Sequence, residues 1–280
     1  MQYVFPARRQ EALQAHVTPT LAGWRFLSFE VHRYAAHQTW QTNTGADEAC
    51  IVLLAGHVCV TVAGETWDLE GRANVFAGLP YAIYLPPEAE VALTMRSDAE
   101  FALARAPASG TRAARLIRPS DVRVEIRGGH NATRQVNHIL DEGGAEHLLC
   151  VEVYTPSGNW SGYPPHKHDV QDPPHEVDLE ETYHYRFDPR EGWALQRIYT
   201  DDRRIDTVLQ VRDGDTIIVR EGYHPVVTAP GYDCYYLNFL AGATPLWMVR
   251  DDPDLVWVRD AWSGAPGRLR LPLGGAGGTT

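Results

Sequence analysis

Tyr163-Pro164-Pro165-His166-Lys167-His168-Asp169, followed after a polar loop by Leu179-Glu180-Glu181-Thr182-Tyr183-His184-Tyr185-Arg186, is the stretch on which the reading of this chain turns. Alternate side chains of a strand share a face, so extended backbone through 166–168 sends His166 and His168 into the same space. The second run reads as a strand whose parity separates Glu181, Tyr183 and Tyr185 from Glu180, Thr182 and His184. Glu181 is preferred to Glu180 as a ligand because a charged Glu180 suits a solvent face, but spacing alone leaves both open. Further on, Glu221-Gly222-Tyr223-His224-Pro225 brings a third histidine out of a glycine turn. Neutral imidazoles beside a carboxylate suit a divalent metal ion (Zn, Mn, Fe or Ni), with His166, His168, Glu181 and His224 as ligands. A lone His-x-His is equally readable as surface histidines in a proline-rich loop; the glutamate and the later Gly-x-His tip the balance to a metal site. His175 and Glu176 fall in the polar loop 171–178 and His184 has the wrong parity, so they are set aside as ligands.

Outward from this stretch, long helical periodicity is scarce. Runs of β-branched and aromatic residues bounded by Gly, Pro, Asp and Asn recur at 50–54, 58–62, 91–95, 122–126, 150–154, 193–199, 216–219 and 235–239. That spacing predicts an all-β chain, sandwich or barrel. The glycine-punctuated order of 213–225 also echoes 74–91, a weak sign of internal duplication. Pro107-Ala108-Ser109-Gly110-Thr111 and Ile117-Arg118-Pro119-Ser120-Asp121 are the linker candidates, which divides the chain into 1–120 and 121–280. In the first part His57 stands singly between Gly56 and Val58, with no His-x-His and no later Gly-x-His, and this part is expected to lack metal. The tail 273–280 is rich enough in glycine to be read as a flexible end.

Composition limits the partners. A net charge of −11 over 280 residues, with no dense Lys/Arg stripe, argues against nucleic acid. No apolar segment has the length of a signal peptide or a membrane span, so a cytoplasmic protein is expected. The four cysteines are scattered without a Cys-x-x-Cys pair and read as buried apolar side chains. An anionic ligand would need local arginines to reverse the field at its site. A homo-oligomer is compatible with the sequence, which does not set the state.

The His-x-His pair, the following glutamate and the Gly-x-His turn resemble the two motifs of the cupin superfamily, although Arg220 stands where that pattern has proline. More closely, Gly158–Asp169 in its full run, Leu179-Glu180-Glu181-Thr182-Tyr183, Gly192-Trp193-Ala194-Leu195-Gln196-Arg197-Ile198-Tyr199-Thr200 and Glu221-Gly222-Tyr223-His224-Pro225 resemble the 5-deoxy-glucuronate isomerase family of myo-inositol catabolism. The resemblance is close over about Arg134 to Met248 and only of cupin type before it. It implies a bicupin of two β-barrel or jelly-roll domains, and an aldose–ketose isomerase making 2-deoxy-5-keto-gluconate from a small sugar acid, 5-deoxy-glucuronate. For that reaction Glu152 and then Tyr183 are the candidate bases, and Arg134 and Arg197 are preferred to Lys167 and Arg186 for the substrate carboxylate. Lys167, between two ligands on the opposite strand face, is expected to point to solvent. Two rival readings remain: a cupin dioxygenase on the same ligand set, and a non-catalytic sugar-acid-binding cupin.

Overall fold

Each of the eight apolar runs falls on a strand of the computed structural model, which describes residues 2–262; only Val122 stays outside the strand beside it. The glycine-rich tail at 273–280 lies outside the described residues. The first half contains β1 (Val4–Phe5), β2 (Leu13–Val17), β3 (Ser28–Tyr34), β4 (Thr39–Asn43), β5 (Asp47–Ala55), β6 (His57–Val62), β7 (Glu65–Glu70), β8 (Ala82–Leu85), β9 (Glu90–Met95), β10 (Ala99–Pro107) and β11 (Arg115–Ile117). The second contains β12 (Arg123–Arg127), β13 (Arg134–Leu140), β14 (Leu148–Thr155), β15 (Trp160–Ser161), β16 (His166–Lys167), β17 (Glu180–Asp188), β18 (Trp193–Tyr199), β19 (Asp206–Arg212), β20 (Thr216–Val219), β21 (Val226–Thr228), β22 (Asp233–Ala241) and β23 (Arg250–Asp251). Helix among the described residues is confined to Pro19–Ala22 and three short 3-10 segments.

Among the described residues, all strands but β16 and β23, which pair with each other, form two sheet pairs of matching order, β12 being an added edge in the second. β11-β8-β5-β10-β3-β2 faces β4-β9-β6-β7, and β1-β20-β17-β22-β14-β13-β12 faces β15-β21-β18-β19. Each half is therefore two facing open sheets, a jelly-roll sandwich rather than a barrel closed by continuous hydrogen bonding. The edge that β11 fills in the first half is filled in the second by β1, from the start of the chain, with Val4 opposite Ile217.

Burial shows three apolar layers. Ile51, Val60, Leu93 and Leu103 fill the first sandwich, and Val151, Val153, Tyr183, Tyr185 and Tyr236 line the second. Between the two large sheets lies a third core that joins Cys50, Val52 and Leu54 to Cys150, Tyr154, Leu237 and Phe239. Strands such as β14 are thus covered on both faces and buried at every position, which removes the polar–apolar alternation of a half-exposed strand.

Two glutamates tie the halves together reciprocally. Glu48 of β5 accepts the amides of Glu146, His147 and Leu148 at 2.8, 2.7 and 3.0 Å. Glu180 of β17 accepts those of Arg25, Phe26 and Leu27 at 2.5, 2.9 and 2.7 Å. They occupy equivalent register positions, since Ala49 lies opposite Leu85, the last residue of β8, as Glu181 lies opposite Val219, the last of β20. Ala49 consequently stands in the first half where Glu181 stands in the second.

Candidate metal centre

Three histidines converge in the second sandwich. The ligand nitrogens of His166, His168 and His224 all lie within 4.8 Å of one another. His166 is fixed by the pairing of β16 with β23, where it faces Asp251. His224 follows the Gly222 turn, whose φ of +86° favours glycine and where an added Cβ would sit 2.5 Å from the Tyr199 carbonyl oxygen. Glu181 enters from β17 and sets Oε2 3.0 Å from His168 Nε2 and 3.1 Å from His224 Nε2. Glu180 points the other way, to the amides at 25–27, so the parity that separated the two glutamates is the one the strand adopts.

The hydrogen bonds behind the rings show what the cluster can hold. His168 Nδ1 lies 2.9 Å from the Leu179 carbonyl and His224 Nδ1 2.8 Å from the Gly222 carbonyl. Carbonyl oxygens only accept, so both Nδ1 atoms carry hydrogen and both Nε2 lone pairs face Glu181. Acceptors facing an acceptor need a cation between them. His224 Nε2 is buried without a hydrogen-bond donor. Burial, reinforced by the His224 and His168 charges, pushes His166 well below the usual imidazole range. Burial also opposes charge on His168, but the contact with Glu181 outweighs it and raises that ring. For Glu181, burial alone would favour the acid; the neighbouring His168 and His224 outweigh it and hold the carboxyl at about 2. Three adjacent imidazoles beside an ionised carboxylate fit a divalent ion better than three protons.

Around the cluster stand aromatic rings and one cation. Tyr183 lies 5.9 Å from His224 and 4.9 Å from Tyr236, between ring centroids. Burial first, then the Glu181 charge, pushes its phenol well above the usual range. Tyr236 bonds Ser161 Oγ, and Tyr185 donates to Gln196 Oε1 at 2.9 Å. Arg134 opens β13 on the same face as Val136; its Nη1 donates to the carbonyls of Ala132 and Tyr163 at 3.2 and 3.4 Å. Burial lowers its pKa, and its charge is felt by His166. Among the described residues no carboxylate lies in ion-pair range of it.

Two expected site residues lie elsewhere. Glu152 shares the parity of Cys150 and Tyr154, so its carboxylate lies between the large sheets, on the opposite face of β14 from Val151 and Val153. There Arg72 Nη2 and Nη1 grip it at 2.8 and 3.1 Å, and Asn137 donates at 2.9 Å. Arg197 projects outward from β18, is bound by Asp206 at 2.8 and 2.7 Å, and covers the Tyr199 ring. Lys167 does leave the ligand face, but it is buried rather than solvent-exposed, with Nζ 2.6 Å from Asp169 and 3.0 Å from Glu176. Glu176, set aside as a loop residue, is fully buried. Sequence reading also missed Tyr236, Ser161 and Gln196, whose only signal was their place on strands facing the ligands.

No helix among the described residues is long and apolar enough to cross a membrane. A sequence model of the KduI/IolB family matches residues 3–258. The 5-deoxy-glucuronate isomerase of Geobacillus kaustophilus (strain HTA426) is 46% identical over 255 residues, covering 90% of this chain and 92% of that protein. The protein of the same name from Bacillus subtilis (strain 168) is 39% identical over 246 residues, covering 86% and 91%. The crystal structure of an IolB-like protein from Salmonella typhimurium LT2 superposes with a TM-score of 0.90 at 37% identity, covering 92% of this chain and 99% of that one. Lactobacillus farciminis oxalate decarboxylase, at 9% identity and a TM-score of 0.62 over 90% of this chain and 88% of its own, shares the two-cupin fold alone. With the family pattern running through both sandwiches and the histidine cluster set in the second, the chain belongs to the KduI/IolB family.

Proposed function

We propose that this chain is a metal-dependent aldose–ketose isomerase that converts 5-deoxy-glucuronate to 2-deoxy-5-keto-gluconate in inositol catabolism. The observation that carries the reading is Arg134, a part-buried guanidinium without a carboxylate partner among the described residues, whose charge reaches the histidine cluster. A sugar acid presents both things such a site asks for: an anion at one end and adjacent carbonyl and hydroxyl oxygens at the other. The relatives named 5-deoxy-glucuronate isomerase supply the identity of that acid.

His166, His168, Glu181 and His224 would hold a divalent ion, which when bound would supply Lewis-acid polarisation of those oxygens. Arg134 grips the carboxylate and thereby fixes which carbon faces the ligand cluster. Burial raises the Tyr183 phenol, so at neutral pH Tyr183 keeps its proton and is not the base the sequence suggested; in this reading it donates a hydrogen bond to a substrate oxygen. Tyr185 and Tyr236 wall the interior against water. In this reading residues 121–280 carry the chemistry, 1–120 form a sandwich without metal ligands, and the enzyme works in the cytoplasm.

The test is an anaerobic proton NMR assay of zinc-loaded protein with 5-deoxy-glucuronate in deuterated water, beside His166→Ala and Tyr183→Phe. The keto acid is expected to accumulate with the parent, to be absent with His166→Ala, and to form about 10²–10⁴-fold more slowly with Tyr183→Phe. Bound zinc with no product would sink the isomerase and leave a binding protein; product only with iron and oxygen would point to an oxygenase.

A further inference from the structure

The two ligand-bearing segments, 166–168 at β16 and 222–224 in the turn before β21, are far apart in sequence, yet a continuous run of bonds joins them behind the cluster. Lys167 lies between the two ligands, and its buried ammonium is 2.6 Å from Asp169 Oδ1 and 3.0 and 3.2 Å from the oxygens of Glu176. The other oxygen of Asp169 accepts the Gly222 amide at 2.6 Å. The Gly222 carbonyl accepts Nδ1–H of His224 at 2.8 Å, which turns that ring's Nε2 toward the cluster. One carboxylate therefore spans from the His-x-His strand to the turn that aims the third histidine.

The loop that carries Asp169 is built to hold it there. His168 and Leu179 close its ends, through Leu179 N to His168 O at 3.0 Å and His168 Nδ1 to Leu179 O at 2.9 Å. Inside it, the fully buried carboxylate of Glu176 accepts the amides of Asp169 and Val170 at 2.8 and 3.1 Å. Arg250 of β23, the strand paired with β16, adds Nε at 3.1 Å from Glu176. Two carboxylates and two cations thus neutralise one another, with Lys167 and Glu176 buried and Arg250 at the surface, and Glu176 Oε1 and Asp169 Oδ2 also accept backbone amides.

We infer that Asp169 is a positioning residue for the metal centre: held by Lys167 and Glu176, it sets the distance between the His166/His168 pair and His224. The inference rests on the metal-centre reading, but it concerns residues that point away from the ion. Outer partners that orient ligands in this way change metal affinity by about 10–100-fold when removed.

The experiment measures zinc affinity by chelator competition, the visible spectrum of the cobalt-loaded protein, and the Tm of the metal-free protein. It compares the parent with Asp169→Ala, Asp169→Asn and Glu48→Gln, the last a buried carboxylate at the junction of the halves, outside the ligand cluster. Asp169→Ala is expected to weaken zinc binding about 10–100-fold and shift the cobalt bands. Asp169→Asn keeps an oxygen for the Gly222 amide and is expected to recover most of the affinity and the parent spectrum. Glu48→Gln is expected to lower Tm and leave both unchanged. Tight zinc binding by the parent with affinity within about twofold in both Asp169 variants overturns the inference alone; a parent that binds neither ion overturns the metal centre and this inference with it.

Discussion

Arg134 and Arg197 carry the same charge, and the fold gives them opposite situations. Arg134 is part-buried with carbonyls as its hydrogen-bond partners, whereas Arg197 is half-exposed and already neutralised by Asp206. A cation without a counter-ion inside a protein is a cost in the free state and a binding site for an anion. Arg134→Met is therefore expected to leave Tm unchanged or higher while raising KM for the sugar acid on the order of 10–100-fold, the loss of a charge-assisted pair. Arg197→Ala should leave both Tm and kcat/KM at the parent values, because a pair this exposed is screened by water. Thermal melts and initial rates on the two variants check the contrast, and a KM defect in Arg197→Ala with none in Arg134→Met would reverse the assignment. The sequence offered both arginines on equal terms. What separated them was strand parity on β18, where Ala194 and Ile198 face the core and Arg197 does not.

At the level of strands, β14 shows where sequence reading reaches its limit. A strand covered on one face announces its inward residues by alternation, but Leu148–Thr155 is buried throughout, so nothing in the sequence says which interior Glu152 enters. Its partner Arg72 is also invisible to local reading, lying eighty positions away. Removing one member of such a buried pair leaves the other uncompensated, so Glu152→Ala is expected to cost about 3–5 kcal/mol of stability. Turnover per folded molecule, assayed at low temperature, should stay at the parent level. A catalytic base in that position would give the opposite result, with turnover abolished and Tm unchanged. The metal-bearing strands were legible because their chemistry is local: His166 and His168 share a face by spacing alone, and Glu181 differs from Glu180 by one step of parity. The Lys167–Glu176 network was not, because a charged residue in a polar loop gives no sign that the loop will close over it.

Across the whole molecule, the matching sheet orders and the reciprocal Glu48 and Glu180 contacts make two halves that hold each other's loops. A third carboxylate, Glu146, binds the linker itself: the amides of Thr111, Gly110 and Ser109 donate to it at 2.7, 2.8 and 2.9 Å. Those amides, Thr111 foremost, hold its carboxyl at about 2, below the ordinary 4.5. A carboxyl lowered by folding stabilises the fold above its unfolded pKa and loses that contribution as pH falls through the folded one. The Tm difference between the parent and Glu146→Gln should therefore be full at neutral pH and shrink as pH falls from about 4.5 toward 2. A difference that stays constant over that window would show that the amides, not the charge, matter. The duplication was only faintly legible, as a repeated glycine order, because the ligands that mark the motif are missing from the first copy, where Ala49 replaces the glutamate.

The crossing of β1 into the other half's sheet has a practical side for anyone purifying the enzyme. Val4 and Phe5 complete the sheet of the other half by pairing with Ile217 and Thr216, just upstream of the Gly222 turn, and Arg220 reaches back to the carbonyl of Gln2. An affinity handle fused ahead of these residues, or a protease that clips them, would act on the metal-bearing sandwich although it touches the opposite end of the gene.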